Sequence, residues 1–220
     1  MTAAKVSRKE RELALRQALV FEAAEAVLVE RGFHGASVDE IAKRAGLSVG
    51  TLYNLFGNKE RLYAALMERG VEEMRQFVRA RVAGAASSAD KLHAAIDAMF
   101  DYFAEHERTF RVYVSATHGL QWNILPQFGE RVFARMQAFS DDMTGWCRQA
   151  VRGGALPRID PALLAMALLG TINAMVTRWV TERRGRLTQY QAGAHAILSA
   201  LGDGRSSRRP TNRAAVRTSH

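Results

Sequence analysis

Three groups of residues in this sequence have types and spacings that could do chemistry. The first is Gly46-Leu47-Ser48-Val49-Gly50, a G-x-S-x-G pattern that in a nucleophile elbow would present Ser48 for acyl transfer. That elbow needs a buried strand in front of it. The residues before Gly46 have helical spacing and no β-branched run, so the pattern reads as a turn instead. The second is Glu105-His106-Glu107. Ligands at i, i+1 and i+2 do not share a helix face, the other histidines are scattered, and there is no H-E-x-x-H, so no metal site is assigned. The third is Cys147 beside Trp146, the only cysteine of the chain. With no local cationic cluster it reads as a small buried residue, and a lone cysteine excludes a disulfide scaffold. No catalytic residue, metal or cofactor is assigned.

A different chemistry is written into Ser37 to Lys59, SVDEIAKRAGLSVGTLYNLFGNK. Ser37 and Glu40 form a capping box, which predicts a helix from Val38. Gly46 ends that helix, since glycine tolerates the left-handed backbone of a sharp exit, and Ser48 caps a second helix from Val49. Ile41, Ala45 and Leu47 would face Leu52, Leu55 and Phe56, with Ala42 small enough for a close crossing. This is a helix-turn-helix. Its second helix leaves Val49, Gly50, Thr51, Tyr53 and Asn54 without apolar company, as expected of a helix facing a DNA groove. With Ser37, Lys43, Ser48 and Lys59 they form the candidate DNA-contact set; Lys59 sits in the first turn after Asn58, where free N–H groups and a cation could hold a phosphate together.

Several stretches now carry a family resemblance: Val20-Phe21-Glu22-Ala23-Ala24, Gly32-Phe33-His34-Gly35-Ala36-Ser37-Val38, Ile41-Ala42, Ala45-Gly46-Leu47-Ser48, Gly50-Thr51-Leu52-Tyr53, and Phe56 with Lys59-Glu60. They resemble the N-terminal domain of TetR-type transcriptional regulators over roughly residues 17–77. The resemblance implies a double-stranded DNA operator as partner and a C-terminal domain that binds a small inducer, here a lipophilic one. Asn54 departs from the histidine many members carry before the aromatic pair, which bears on the target sequence.

Composition agrees and adds little. The net charge of +9 divides into +3 over residues 1–83, +2 over 84–201 and +4 over 202–220, so much of the surplus is in the tail. With 48% hydrophobic and 24% charged residues the chain is soluble and globular in type, fitting a reducing cytoplasm. The start is charged and lacks an apolar signal region. The run Ala162–Val176 falls short of the about 20 residues that span a bilayer, so no membrane partner is expected.

Along the chain, residues 1–12 read either as a frayed start or as a basic arm reaching a phosphate or minor groove. Apolar spacing predicts a first helix from Leu13 to Gly32. A long helix capped by Asn58 ends near Gly84, and Ala85-Ala86-Ser87-Ser88 marks a boundary. The expected domains are 13–84, DNA-binding, and 85–201, effector-binding and dimerising, followed by a disordered basic tail, 202–220. Helices are expected from Asp90, from Thr109 to His118, through Val132 to Ala150, from Asp160-Pro161 to Arg183, and around Tyr190 to Leu201, with a loop at 119–126. Strand signals are absent, so the fold class is all-α.

The Pro161 helix is apolar all round, which requires cover all round. Leu164 and Leu168 would face the protomer core, while Leu163, Ala167, Gly170 and Ala174, with Ile197 of the last helix, would meet a second copy in a homodimer. The large side chains Phe103, Phe110, Tyr113, Trp122, Met136, Phe139, Trp146 and Met166 are mostly core, yet could leave an apolar cavity with Asn173 as a polar group in it. The resulting reading is a dimeric, effector-responsive, sequence-specific DNA-binding repressor. Two alternatives stand beside it: a DNA-binding protein whose second domain only dimerises or binds a protein, and a hydrolase using Ser48.

Overall fold

The computed structural model describes residues 7–117, 128–182 and 185–203 of the 220. Every regular element among them is helical. The expected loop with Trp122 and the basic tail from residue 204 onward lie outside the described residues.

Helix α1 (Arg8–Gly35) starts earlier than apolar spacing predicts. Ser7 and Glu10 make a complete capping box, Glu10 N–H to Ser7 Oγ at 3.2 Å and Ser7 N–H to Glu10 Oε2 at 2.7 Å. Residues 8–12 are therefore helical, not a frayed start. Those bonds hold the Glu10 carboxyl below its usual range. Gly32 has φ +70°, breaking the helix where a terminating glycine was expected, and one further turn runs to Gly35. Next comes α2 (Val38–Arg44), where only half of the expected box forms. Ser37 Oγ accepts from Glu40 N–H at 3.1 Å, but the Glu40 carboxylate turns to Arg31 and Arg44, at 3.6 and 3.9 Å. Two cations outcompete one neutral N–H for it. Gly46 takes φ +67°, and Ser48 caps α3 (Val49–Phe56).

Asn58 Oδ1 accepts from Arg61 N–H at 2.8 Å and starts α4 (Lys59–Ala83), which ends at Gly84. Then α5 (Ser88–Glu105) begins two residues before Asp90, because Ser87 is the cap and Asp90 its third-residue partner. Helix α6 (Glu107–Thr117) follows almost directly. The remainder is α7 (Glu130–Arg152), α8 (Pro161–Glu182) and α9 (Leu187–Asp203).

Two hydrophobic cores organise these helices. The first joins Val20, Ala24 and Val27 of α1, Ile41 and Ala42 of α2, Leu52 of α3, and Leu62, Tyr63 and Leu66 of α4. The second joins Val78 of α4, Ile96 and Phe100 of α5, Met143 and Cys147 of α7, Leu164, Ile172 and Val176 of α8, and Leu198 of α9. Helices α4, α6 and α7 belong to both: α6 gives Val112 to the first core and Phe110 and Val114 to the second, and α7 gives Val132 to the first and Phe139 to the second. A polar seam ties α9 to α5. His195 Nε2 lies 2.6 Å from Asp97 Oδ1, which also accepts from Gln191 at 2.7 Å, and His195 Nδ1 lies 2.7 Å from His93 Nδ1.

Helix α8 is long and apolar enough to span a bilayer by composition alone. Leu164, Leu168, Ile172 and Val176 are instead buried against protein, while Leu163, Met166, Ala167, Gly170 and Ala174 are exposed along the opposite side.

Candidate nucleic-acid interface and effector cavity

The helix-turn-helix is rigid where it touches the first core and open elsewhere. Ile41 and Ala42 are fully buried and Leu52 nearly so, which fixes α3 across α2. Outward-facing Ser37, Lys43, Ser48, Gly50, Tyr53 and Asn54 are exposed; Val49, Thr51 and Lys59 are half-buried. Ser48 uses its oxygen locally, accepting from Thr51 N–H at 3.1 Å and lying 2.8 Å from Thr51 Oγ1. It follows helix α2, not a strand, so the elbow geometry is absent. Arg44 grips Glu30 with two bonds of 2.7 and 2.8 Å, tying α2 to α1. Lys59 Nζ lies 3.5 Å from the His34 carbonyl oxygen and 5.7 Å from the Tyr63 ring centroid, so the structure holds it at the start of α4.

Above the first core a cavity of about 400 Å³ opens. Of the residues read from sequence, Phe103, Phe110, Tyr113, Met136, Phe139, Met166 and Asn173 line it. Trp122 lies outside the described residues. Trp146 does not line the cavity: it is partly buried against the second core. Sequence reading missed the α4 wall of Met67, Gly70, Val71 and Met74. Their i, i+3, i+4, i+7 spacing marks one face of the helix capped by Asn58. Sequence reading also missed Tyr102 of α5, His106 at the C-cap of that helix, and Thr109 of α6. Exposed Phe133, Gln137, Ala162 and Met166 place the mouth between α7 and α8. Among the described residues no group of three or more metal-ligating side chains converges.

The tie between cavity and DNA-binding half is direct. Met67 is buried in the first core and lines the cavity, and Thr109 of the cavity wall donates to Glu25 of α1 at 3.1 Å. Tyr102 donates from the same wall to the Gly70 carbonyl of α4 at 3.0 Å, and burial pushes its phenol pKa well upward.

With reader and cavity placed, comparison with known proteins decides the family. Residues 20–66 match the family described as bacterial regulatory proteins, tetR family, and residues 85–202 match the tetracyclin repressor-like C-terminal domain. The chain belongs to the TetR family. It is therefore a DNA-binding transcriptional regulator with a helical C-terminal domain. It is 36% identical over 97 residues to the transcriptional activator FasR of Mycolicibacterium smegmatis, a match spanning 44% of each chain. It is 27% identical over 166 residues to the fatty acid metabolism regulator protein of Bacillus subtilis, covering 73% of this chain and 81% of that one. The solved structure of FadR from Bacillus subtilis in complex with stearoyl-CoA superposes with a TM-score of 0.71 at 23% identity, over 85% of this chain and 98% of that chain. At that identity the likeness is one of fold.

Proposed function

We propose that this TetR-family chain is a homodimeric repressor that leaves a near-palindromic operator when a lipophilic effector, of the acyl-thioester type held by its structural relative, enters the cavity. The observation that carries this reading is the sharing of α4 and α6. Met67 and Val112 belong to the core that sets the recognition helix, while Met67, Phe110 and Tyr113 line the cavity. A ligand that spreads these walls acts on the first core as well. It shifts DNA binding only by its preference for the spread arrangement, and about 1–3 kcal/mol would weaken operator binding roughly 5–150-fold.

Dimerisation is supported by the uncovered side of α8, where Leu163 is 54% exposed, continuing into Ile197 at 42%. Ala167, Gly170 and Ala174 are the small residues between them, which lets a second α8 approach closely. Two copies of α3 would then address half-sites about 34–36 Å apart or a multiple of it. In this reading Ser37, Lys43, Ser48 and Lys59 position the protein on phosphates. Val49, Gly50, Thr51 and Asn54 face base edges, and Tyr53 takes the backbone. The protein works in the cytoplasm and has no catalytic role.

The test is a footprint on the DNA upstream of its own coding region, repeated with long-chain acyl-CoA, alongside transcription from that region in cells lacking the protein. A protected near-palindrome that acyl-CoA releases, with transcription rising in the deletion strain, is expected. Protection unchanged at saturating bound ligand would leave a constitutive DNA-binding protein with a dimerisation domain.

A further inference from the structure

The polar side chains of the cavity are those of Tyr102, His106, Thr109, Tyr113, Gln137, Ser140 and Asn173. Among its described lining residues there is no Asp, Glu, Lys or Arg. Two of its hydroxyls are already committed, that of Tyr102 to the Gly70 carbonyl and that of Thr109 to Glu25. His106 stands apart. Its ring lies nearly parallel to the Tyr102 ring, centroids 4.0 Å apart and planes at 12°, and its Nδ1 is 2.9 Å from the Tyr102 carbonyl oxygen. A carbonyl only accepts, so Nδ1 carries the proton and the lone pair of the neutral ring resides on Nε2. Stack and bond together fix a half-buried ring at the end of α5, with Nδ1 turned to its own helix and Nε2 on the opposite edge. Among the described residues nothing else bonds to that nitrogen.

We propose that the cavity takes a neutral lipophilic chain bearing a hydrogen-bond donor, a hydroxyl or an amide N–H, and that His106 Nε2 accepts from that donor and so sets ligand specificity. The inference rests on the effector-binding reading above and narrows it. A ligand carboxylate inside this lining would lose its water with no cation to replace it, so a free fatty acid is disfavoured. A thioester fits when its charged end stays outside the mouth at Phe133 and Met166 and only the neutral part enters.

The experiment titrates the full-length protein calorimetrically with three matched probes: 1-dodecanol, its methyl ether and dodecanoate. In wild type the alcohol is expected to bind roughly 3–10-fold tighter than the ether, the equivalent of one net hydrogen bond. Dodecanoate is expected to bind more weakly than the alcohol at neutral pH. His106→Phe, which keeps a ring to stack on Tyr102, should equalise alcohol and ether; His106→Gln, which keeps an acceptor, should restore part of the difference. Equal binding of alcohol and ether by wild type overturns the proposal, as does a preference that survives in His106→Phe or a carboxylate that binds tightest at neutral pH. If the preference appears but the operator complex ignores the bound alcohol, effector coupling fails and the His106 assignment stands. If none of the three binds, the His106 assignment falls, and titration of the same protein with long-chain acyl-CoA decides the effector reading separately.

Discussion

Ile41 and Met136 occupy comparable places on amphipathic helices, one in each half of the molecule, and their surroundings differ. Ile41 is fully enclosed between the helices of the first core, whereas Met136 is half-buried and looks into a cavity of about 400 Å³. The first core has to hold a recognition helix in one orientation, and close packing does that. The second half has to accept a guest, and a filled interior would forbid it. Rigidity and hollowness are thus separate requirements, met by two cores that share helices α4, α6 and α7.

The largest expected effect of breaking that contrast is on the filled side. Ile41→Ala should cost about 2–5 kcal/mol and abolish specific DNA binding, because the void it leaves has no room to relax. Met136→Ala enlarges a space that already exists and should cost under about 2 kcal/mol. Thermal unfolding of the two variants, followed by operator binding, measures the contrast directly. Equal losses would mean that the cavity closes when the protein is free of ligand.

Next in size is the uncovered side of α8. A β-carbon at Gly170 would meet nothing within 4 Å in the protomer. Gly170→Leu should therefore leave the protomer fold intact and overpack the homodimer by about 1–3 kcal/mol per protomer. Sedimentation at several concentrations reads this; a dimer of unchanged affinity would place the interface elsewhere. Ala167→Phe belongs to the same test. Ala167 faces outward on α8 and does not line the cavity, so cavity filling calls for Ala162→Phe.

What could be read from sequence follows the range of the forces involved. The caps at Ser37, Ser48 and Asn58 and the exit at Gly46 act over three or four residues, and they locate α2 to α4 closely. The same rule applied to Ser7-Arg8-Lys9-Glu10 would have found the true start of α1; attention to apolar periodicity hid it, since residues 8–19 are helical without burial. The division of α8 into a Leu164/Leu168 side and a Leu163/Ala167 side was also legible, because it depends only on 100° per residue. The cavity was legible in composition and not in detail. Whether Trp146 or Met67 reaches it depends on how α4, α5 and α7 cross, which no local pattern states. His106 was visible only as a poor metal ligand; its fixed tautomer follows from the Tyr102 carbonyl one turn earlier and required coordinates.

A smaller effect is expected on the DNA side. Lys59→Ala should weaken binding to all sequences alike and lower the salt dependence by about one counterion, as loss of one phosphate contact implies. Thr51→Ala should act on the operator selectively, with a modest added cost because Thr51 Oγ1 lies 2.8 Å from the Ser48 capping hydroxyl. Titrations at several salt concentrations separate the two. An unchanged slope for Lys59→Ala would restrict that residue to its position beside the His34 carbonyl and over the Tyr63 ring.

The smallest effect uses Cys147 to ask which half opens first. The thiol is fully buried in the second core, and burial alone pushes its pKa up to about 11. Two consequences follow. The native thiol is both inaccessible and protonated, so a thiol reagent should label it only through opening of the second core. A raised pKa in the folded state also means that folding favours the protonated thiol. That contribution is whole below the unfolded value of about 8.5 and is lost as pH rises from there toward the folded value. The melting temperature should thus drift down by a few degrees over that alkaline range, less in Cys147→Ser after allowance for its own packing loss. If the hollow half opens more readily than the filled one, labelling of Cys147 should be faster than global unfolding predicts, and a cavity ligand should slow it. Labelling that tracks global unfolding with and without ligand would show the two halves opening as one unit, and the contrast between filled and hollow would then be one of shape without a difference in local stability.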